Sequence, residues 1–409
     1  MANQPRLGRR SFLKTGISGL AGATLLHPAL KSADATTSAG NGERNTFICR
    51  KLGNTGVKLP VISMGVMNAD NPNLVAAALD AGIIHLDTAH GYQKGKNEEM
   101  IGQVIRNRKR DSFFIATKVG YPAKDRNSGI FFPDTTEATF QKEFDISLKR
   151  LGLDYVDILY IHSIWVRESV LFEPAMRFLD RAKKEGKVRF SGLTTHRNEH
   201  EVIDAVTESE FYDVVLTAYN FRKKNRTELQ TAIAKAARKG IGIVAMKTQA
   251  GVYWDKERQE KIDMRAALKW AIRNKNVHTT IPGFTTFDQL NEDLSVMGNL
   301  NLTPEERKNL RLDEPGTGTL PGLYCQQCDA CRAQCPYSVE IPTFMRSYMY
   351  AYGYRNLRLA QETLKSAGLA SLPCYDCRQC SVDCIMGFDI RTKILDIARL
   401  ENVAPEFLA

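Results

Sequence analysis

The sequence predicts an α/β chain: a closed barrel of eight β–α units, the (β/α)8 or TIM architecture, followed by a small helical, cysteine-rich module. Three observations carry this. Between about residues 46 and 312, eight apolar runs of strand length alternate with segments whose apolar residues recur at helical spacing. That stretch is about as long as eight β–α units require. Past a Pro/Gly-rich linker, Asp313–Gly322 (DEPGTGTLPG), two runs of four cysteines follow one identical spacing.

The strand candidates are Pro60–Gly65, Ile83–Leu86, Phe113–Lys118, Val156–Ile161, Val188–Gly192, Asp213–Leu216, Gly242–Met246 and His278–Ile281. Helical periodicity lies between them, for example in Asn73–Ala81, Glu98–Arg106, Thr139–Leu151 and Ala175–Lys184. An open, doubly wound sheet is the alternative. It would be expected to carry G-x-G-x-x-G after its first strand, and no such motif stands there.

The cysteines are Cys325, Cys328, Cys331 and Cys335, then Cys374, Cys377, Cys380 and Cys384. Each run reads C-x2-C-x2-C-x3-C, and Pro336 completes the first as the Cys-Pro of bacterial ferredoxins; Ile385 stands at the matching place in the second. In two-cluster ferredoxins the fourth cysteine of a run ligates the other cluster. Two [4Fe–4S] clusters are therefore expected. Cys325, Cys328, Cys331 and Cys384 would hold one, and Cys374, Cys377, Cys380 and Cys335 the other. Zinc sites and disulfides are the competing readings. Zinc sites use separated C-x2-C pairs, often with His, and neither run contains His. Disulfides between such near neighbours are strained. Between Cys335 and Cys374, Thr343–Tyr354 and Asn356–Ala367 read as helices, so the module at about 323–400 is larger than a compact ferredoxin.

Residues 1–35 read as a twin-arginine export signal. Arg9-Arg10 precede Ser11-Phe12-Leu13-Lys14, a weakly apolar stretch runs from Thr15 to Leu26, and Ala33-Asp34-Ala35 offers a cleavage site. Cleavage after Ala35 is expected; an uncleaved tail acting as an anchor is the alternative. The signal and the cysteines agree with each other. An oxidising compartment would turn free thiols into disulfides, whereas twin-arginine export moves a chain already folded around its cofactor. The translocase is then a partner during export, and the expected location is the periplasm.

The formal net charge of +10 includes +4 from residues 1–35, leaving +6 for the remainder. Each oxidised cluster with its four thiolates adds about −2. The sum is near neutral, so no nucleic-acid partner is implied. The basic run Arg222–Arg226 reads as a solvated loop.

Four ionisable residues fall at or just after the C-terminal ends of successive strand candidates. They are Asp87 in Ile84–Ala89, Tyr92 in the loop beyond, Lys118 ending Phe114–Lys118, and His162 ending Leu159–His162. Strand C-termini in such barrels open at one mouth, so these four side chains are expected to converge.

Here the chain resembles the aldo/keto reductases. The matching stretches are LGNTGVKLPVISMG (52–65), AGIIHLDTAHGYQKGKNEEMIG (81–102), FFIATKVG (113–120), SLKRLGLDYVDILYIHS (147–163) and AKKEGKVRFSGLTTH (182–196). The cysteine module looks like the ferredoxin-type extension of one branch of that family. The resemblance implies hydride transfer between a nicotinamide and a carbonyl carbon. Tyr92 would be the general acid, Lys118 the cation that lowers its pKa, Asp87 the partner of Lys118, and His162 the group that orients the carbonyl oxygen. It also implies that Thr194 and Thr195 meet the nicotinamide carboxamide. Lys247 to Gly251 and Gly283, Thr285 and Thr286 would meet the phosphates. Leu216 stands where many members have Gln, and Met246 where many have a stacking aromatic. At the 2′-phosphate site Gly283, Phe284 and Gln289 replace the usual Lys or Arg, which leaves NAD and NADP both open.

Two functional readings follow, beside a third in which the clusters are structural and the module is a cap that closes over the barrel mouth. In the first, the chain is an exported enzyme interconverting a carbonyl (aldehyde, ketone or sugar) and an alcohol. In the second, it is an electron-transfer protein whose clusters serve a redox partner, with the barrel mainly a scaffold. Trp165 and Phe131 are candidates for lining an apolar pocket or for filling core space.

Overall fold

The computed structural model describes residues 47–408 apart from 121–122, 126–127, 252, 255–258, 314–324, 326–330, 366, 368–371, 378 and 385–386. Residues 1–35, read above as an export signal, most of the linker and Cys328 lie outside the described residues.

A hairpin opens the described chain. β1 (Cys49–Lys51) pairs antiparallel with β2 (Lys58–Pro60). Eight parallel strands follow: β3 (Met64–Gly65), β4 (His85–Asp87), β5 (Phe114–Val119), β6 (Val156–Ile161), β7 (Val188–Thr195), β8 (Val214–Ala218), β9 (Gly242–Met246) and β10 (Thr279–Thr280). They pair in sequence order from β3 to β10. The ring closes where Ile62 bridges Thr280 in parallel, and Ser63 N–H donates to the Thr280 carbonyl at 2.7 Å. This is the eight-stranded barrel expected from the alternating pattern. All eight strand candidates overlap a barrel strand. The first is split, because Pro60 ends the hairpin while only Met64 and Gly65 enter the barrel ladder.

Helices form where local chemistry starts and stops them. Asn71 caps Pro72–Asp80 by accepting from Asn73 N–H at 3.0 Å. Thr136 and Thr139 cap Glu137–Leu151, and Gly152 ends that helix in the left-handed region at φ 66°. Its buried residues Phe140, Phe144, Ser147 and Leu151 recur at helical spacing and face the sheet. Phe131 stacks on Phe172 with centroids 4.3 Å apart, so it fills core space rather than a pocket.

Alternation along the strands decides what fills the barrel. Phe114, Ala116, Ile158, Tyr160, Val214, Leu216 and Val244 form the interior core, and Leu52 and Leu59 of the hairpin region pack into it. Gly242 has no side chain because one would press on Leu52, whose Cδ1 lies 2.8 Å from an added Cβ. Continuing the same alternation upward, the next inward residues are Lys118 after Ala116 and His162 after Tyr160.

The cysteine module has its own core. Helices Ile341–Tyr352, Leu357–Lys365 and Ile390–Ala398 bury Phe344, Met345, Ala360, Leu364, Ile394 and Ile397 together. The first two overlap the expected helices; the third continues the module past the second cysteine run. Among the described residues no helix is long and apolar enough to cross a membrane.

The run Arg222–Arg226 is not a solvated loop. Arg222 is 7% exposed and sits over Trp254, 5.0 Å from its ring centroid. Lys223 pairs with Glu199 and Arg226 donates to the Phe221 carbonyl at 2.8 Å. Aromatic faces and carbonyls at this end of the barrel accept the cations, which charge counting along the chain does not reveal.

Candidate active site

The structure brings Asp87, Tyr92, Lys118 and His162 to one cavity of about 450 Å³ at the barrel mouth. Lys118 is buried between β4 and β6 and pairs with Asp87; its ammonium also donates to the Thr88 carbonyl at 2.7 Å. The same ammonium lies 4.7 Å from the centroid of the Tyr92 ring. Tyr92 and His162 meet edge to face, with centroids 6.0 Å apart.

The loop that presents Tyr92 is tied down. The Asn97 side chain donates to the Val66 carbonyl at 2.7 Å and accepts from the Thr88 hydroxyl at 2.7 Å. Gln93 donates to the Met67 carbonyl at 3.1 Å, from a left-handed backbone at φ 49°. A residue held in that region is over-determined by its surroundings, as at many functional sites.

Burial and charge then set protonation. Burial would release the Lys118 proton, but Asp87 and Tyr92 together outweigh it and hold the ammonium above its ordinary range. Burial, with Lys118 and Lys124 beside it, pushes His162 well below the usual imidazole range, so it stays neutral. Tyr92 departs from expectation. Lys118 does favour the phenolate by charge and hydrogen bonding. Burial acts more strongly the other way, with Asp87 on its side, and the pKa rises above the ordinary 10.0. Sequence supplies the cation but not the desolvation that opposes it.

Lys124 was not legible as a site residue. Its ammonium donates to the Gly120 carbonyl at 2.9 Å and to the His162 carbonyl at 2.8 Å, and stands 4.6 Å from the Phe131 centroid. It thus fixes the backbone of His162. Burial pulls its pKa from 10.5 down to about 7, against the pull of Glu143. Because the folded value is the lower one, the unfolded chain binds the extra proton between about pH 7 and 10.5. Stability therefore rises with pH across that window, and the penalty is fully present below it. Lys124→Met removes this slope. The melting temperature of wild type relative to the variant should climb between about pH 6.5 and about pH 9.5. A constant difference across that range would refute the assignment.

The expected cofactor residues divide. Thr194, Lys247 and Gly283 line the cavity, as does Met246. Thr194 accepts from Ser163 N–H at 2.7 Å, which leaves its hydroxyl proton to offer. Thr195 does not line it. As the next residue on β7 it faces the opposite side, where its hydroxyl donates to the Arg197 carbonyl at 2.8 Å. Nor do Gly251, Thr285 and Thr286 line the cavity. Thr286 caps the helix Phe287–Val296 by accepting from Gln289 N–H, and the Thr285 hydroxyl contacts Gln289 Oε1 at 3.3 Å. Their hydroxyls are taken up by starting that helix. Leu216 lies below, in the barrel core. Trp165 does line the cavity.

The cavity is not built by the barrel alone. Thr343, Arg346, Met349 and Tyr350 of the helix Ile341–Tyr352, and Leu359 of the next helix, form part of its wall, together with Cys325. The cysteine module therefore closes over the mouth.

Seven of the eight module cysteines are described, and Cys335, Cys374, Cys377, Cys380 and Cys384 among them are free thiols. Around Cys374 the interacting thiols are Cys335, Cys380 and Cys377, so the last cysteine of the first run stands with the second run. Among the described residues no three Cys, His, Asp or Glu side chains converge closely enough for a single metal ion. Reduced cysteines grouped by four suit a thiolate-bound iron–sulfur cluster. The cavity side suits a nicotinamide dinucleotide, with Thr194 able to donate, Lys247 cationic, and the buried Thr248 hydroxyl lacking a protein partner among the described residues.

Residues 63–266 match the aldo/keto reductase family, and residues 324–389 match a 4Fe-4S dicluster domain. The barrel is an aldo/keto reductase domain. The chain is accordingly an NAD(P)-dependent oxidoreductase of the aldo/keto reductase type, joined to an iron–sulfur domain. It is 23% identical over 295 residues to an uncharacterized oxidoreductase, YqkF, of Bacillus subtilis, covering 64% of this chain and 95% of that protein. It is 24% identical over 315 residues to an L-glyceraldehyde 3-phosphate reductase of Escherichia coli O157:H7, covering 63% and 89%. In fold it is similar to the holo form of the aldo-keto reductase AKR11C1 of Bacillus halodurans, with a TM-score of 0.53 at 21% identity, covering 65% of this chain and 96% of that one. All three likenesses leave more than a third of this aldo/keto reductase-type chain unmatched.

Proposed function

We propose that this oxidoreductase is exported and interconverts a carbonyl (aldehyde, ketone or sugar) and an alcohol, carrying two [4Fe–4S] clusters in the module that roofs its active site. The observation that carries the chemistry is Tyr92 between Lys118 and His162 in one chamber. A bound nicotinamide supplies or accepts the hydride at its C4. Tyr92, protonated at neutral pH, gives its proton to the oxygen as negative charge develops there. Lys118 stabilises the phenolate left behind, and Asp87 keeps that ammonium in place. Neutral His162 donates a hydrogen bond to the same oxygen and favours its negative charge. The relative that reduces L-glyceraldehyde 3-phosphate supports a small polar aldehyde as one substrate class to include.

Turnover by the anaerobically prepared, cluster-loaded chain tests this, with NAD(H) and NADP(H) against aldehydes, ketones and sugars. Absence of nicotinamide binding and of turnover across the panel would move the electron-transfer reading ahead. One observation favours a part for the clusters beyond structure: Cys325 lines the same chamber as Tyr92. In that reading the clusters pass electrons to a partner protein. A converter must then stand between them, since nicotinamide delivers two electrons as hydride and each cluster takes one.

Export through the twin-arginine translocase into the periplasm is the proposed route, supported by Arg9-Arg10 and by the vulnerability of eight thiols to oxidation. Replacing both arginines with lysine should trap the cluster-loaded protein in the cytoplasm. An unchanged periplasmic yield on fractionation would count against this route.

A further inference from the structure

The chamber carries positive charge that proton transfer at Tyr92 does not use. Among the described residues lining it the only carboxylate is Asp87, and Lys118 already pairs with it. Arg332 is engaged by Glu340 through hydrogen bonds of 2.8 and 2.7 Å. Arg197, Lys247 and Arg346 also face the chamber. Arg197 and Lys247 come from barrel loops after β7 and β9. Arg346 comes from the helix Ile341–Tyr352 of the iron–sulfur module. Lys247 and Arg346 lie within each other's field, and His196 within the field of both; Lys223 adds to that field at Lys247, and Glu199 and Cys325 oppose it. Like charges gathered around one cavity repel, and that arrangement favours an anionic occupant.

A second observation is independent of charge. Thr248, next to Lys247, lines the chamber, is 1% exposed, and its Oγ1 has no hydrogen-bond partner among the described residues. Buried hydroxyls are nearly always paired, so an orphan on a residue of the cavity wall is open to a ligand's polar atom. The backbone agrees: Lys247 is held in the left-handed region at φ 55°.

We propose that Arg346 of the iron–sulfur module joins Lys247 and Thr248, on the barrel loop that the resemblance already directs to the phosphates, in one anion site that receives a phosphate-bearing group, so that the module completes the ligand site of the enzyme. This rests on the nicotinamide reading above. The chemistry has two possible sources, the diphosphate of the dinucleotide or a phosphate on the substrate. Either would bridge barrel and module, which gives the module a role in binding that is separate from any electron transfer.

The test uses the full, cluster-loaded chain and the variants Arg346→Gln, Lys247→Gln and Arg346→Lys. Binding of NADH, NADPH, ADP-ribose and inorganic pyrophosphate is measured by calorimetry at low and raised salt. Loss of one charge-assisted contact should weaken pyrophosphate and ADP-ribose binding by about 10- to 100-fold, with a shallower salt dependence. Arg346→Lys should recover part of the loss, and iron and sulfide content should not change. If ADP-ribose binding is intact while KM rises for a phosphorylated aldehyde and not for its unphosphorylated counterpart, the site stands and the substrate supplies the anion. Unchanged binding and unchanged KM in Arg346→Gln overturn the proposal, whatever Lys247→Gln does. Failure of the nicotinamide reading has its own signature: wild type would bind pyrophosphate but neither dinucleotide.

Discussion

Tyr92→Phe is expected to slow carbonyl reduction by about 10²–10⁴, the usual worth of a positioned general acid. The substitution keeps the ring, its edge contact with His162 and its place beside Lys118, and removes only the proton. Cluster content should be unchanged, since the cysteines belong to a separate core. The pH dependence sharpens the test. With its pKa raised above 10.0 by burial, Tyr92 is an acid throughout the neutral range, and reduction should be flat there. Alcohol oxidation needs the phenolate and should rise with pH. Lys118→Met removes the charge that opposes burial, so the alkaline limb of oxidation should move further up in pH. Undiminished reduction by Tyr92→Phe, measured on a substrate that wild type turns over, would eliminate Tyr92 as the acid.

Cys335→Ser is expected to cost one cluster and spare the other. Wild type prepared anaerobically should hold iron and sulfide approaching about eight each per chain, and the variant about four. Which cluster is lost follows from the grouping of Cys335 with Cys374, Cys377 and Cys380. Pairing substitutions makes the grouping measurable. If Cys335 and Cys374 serve one cluster, the double variant loses no more iron than either single one. Cys335→Ser with Cys331→Ser should lose both clusters, because these near neighbours in sequence would serve different ones. The opposite pattern would place each cluster within its own run. Stoichiometric zinc without sulfide would remove the cluster assignment altogether. Since Cys325 lines the chamber, Cys325→Ser should in addition alter nicotinamide binding, whereas Cys335→Ser should leave it nearer to wild type.

How far the sequence could be read depends on the range of the interactions involved. Val156–Ile161 and Gly242–Met246 are legible to the residue, because strands buried on both faces are largely apolar; the exception, Asp157, is buried against Arg110 and Arg189. The split at Pro60 is not legible, because only pairing with Cys49 reveals that the segment belongs to a hairpin. The helix Ile390–Ala398 is hard to read from sequence although Ile390, Ile394 and Ile397 carry its spacing and Asp389 caps it. The dense cysteine pattern just before it gives no helical signal.

At the site, Asp87, Lys118 and His162 could be found from sequence because each sits at a strand end, and barrel topology sends every such end to one mouth. Thr195 could not be separated from Thr194 by a loop motif alone; the two-residue period of β7 separates them. Lys124, Thr248 and Arg346 were invisible for a different reason. Their meaning lies in what faces them across the fold: the His162 carbonyl, an unfilled hydrogen bond, and a chamber wall built 99 residues further along the chain from Lys247 in the case of Arg346. By itself the sequence determined the barrel, the cysteine spacing and the ionisable side chains at the strand ends, since periodicity and covalent spacing are local properties. The tertiary structure alone decided that burial outweighs Lys118 at Tyr92, and it selected, from the arrangements the sequence left open, the one in which the iron–sulfur module roofs the cavity. Desolvation and contact between distant segments depend on what the folded chain places around a group, and no local pattern encodes that.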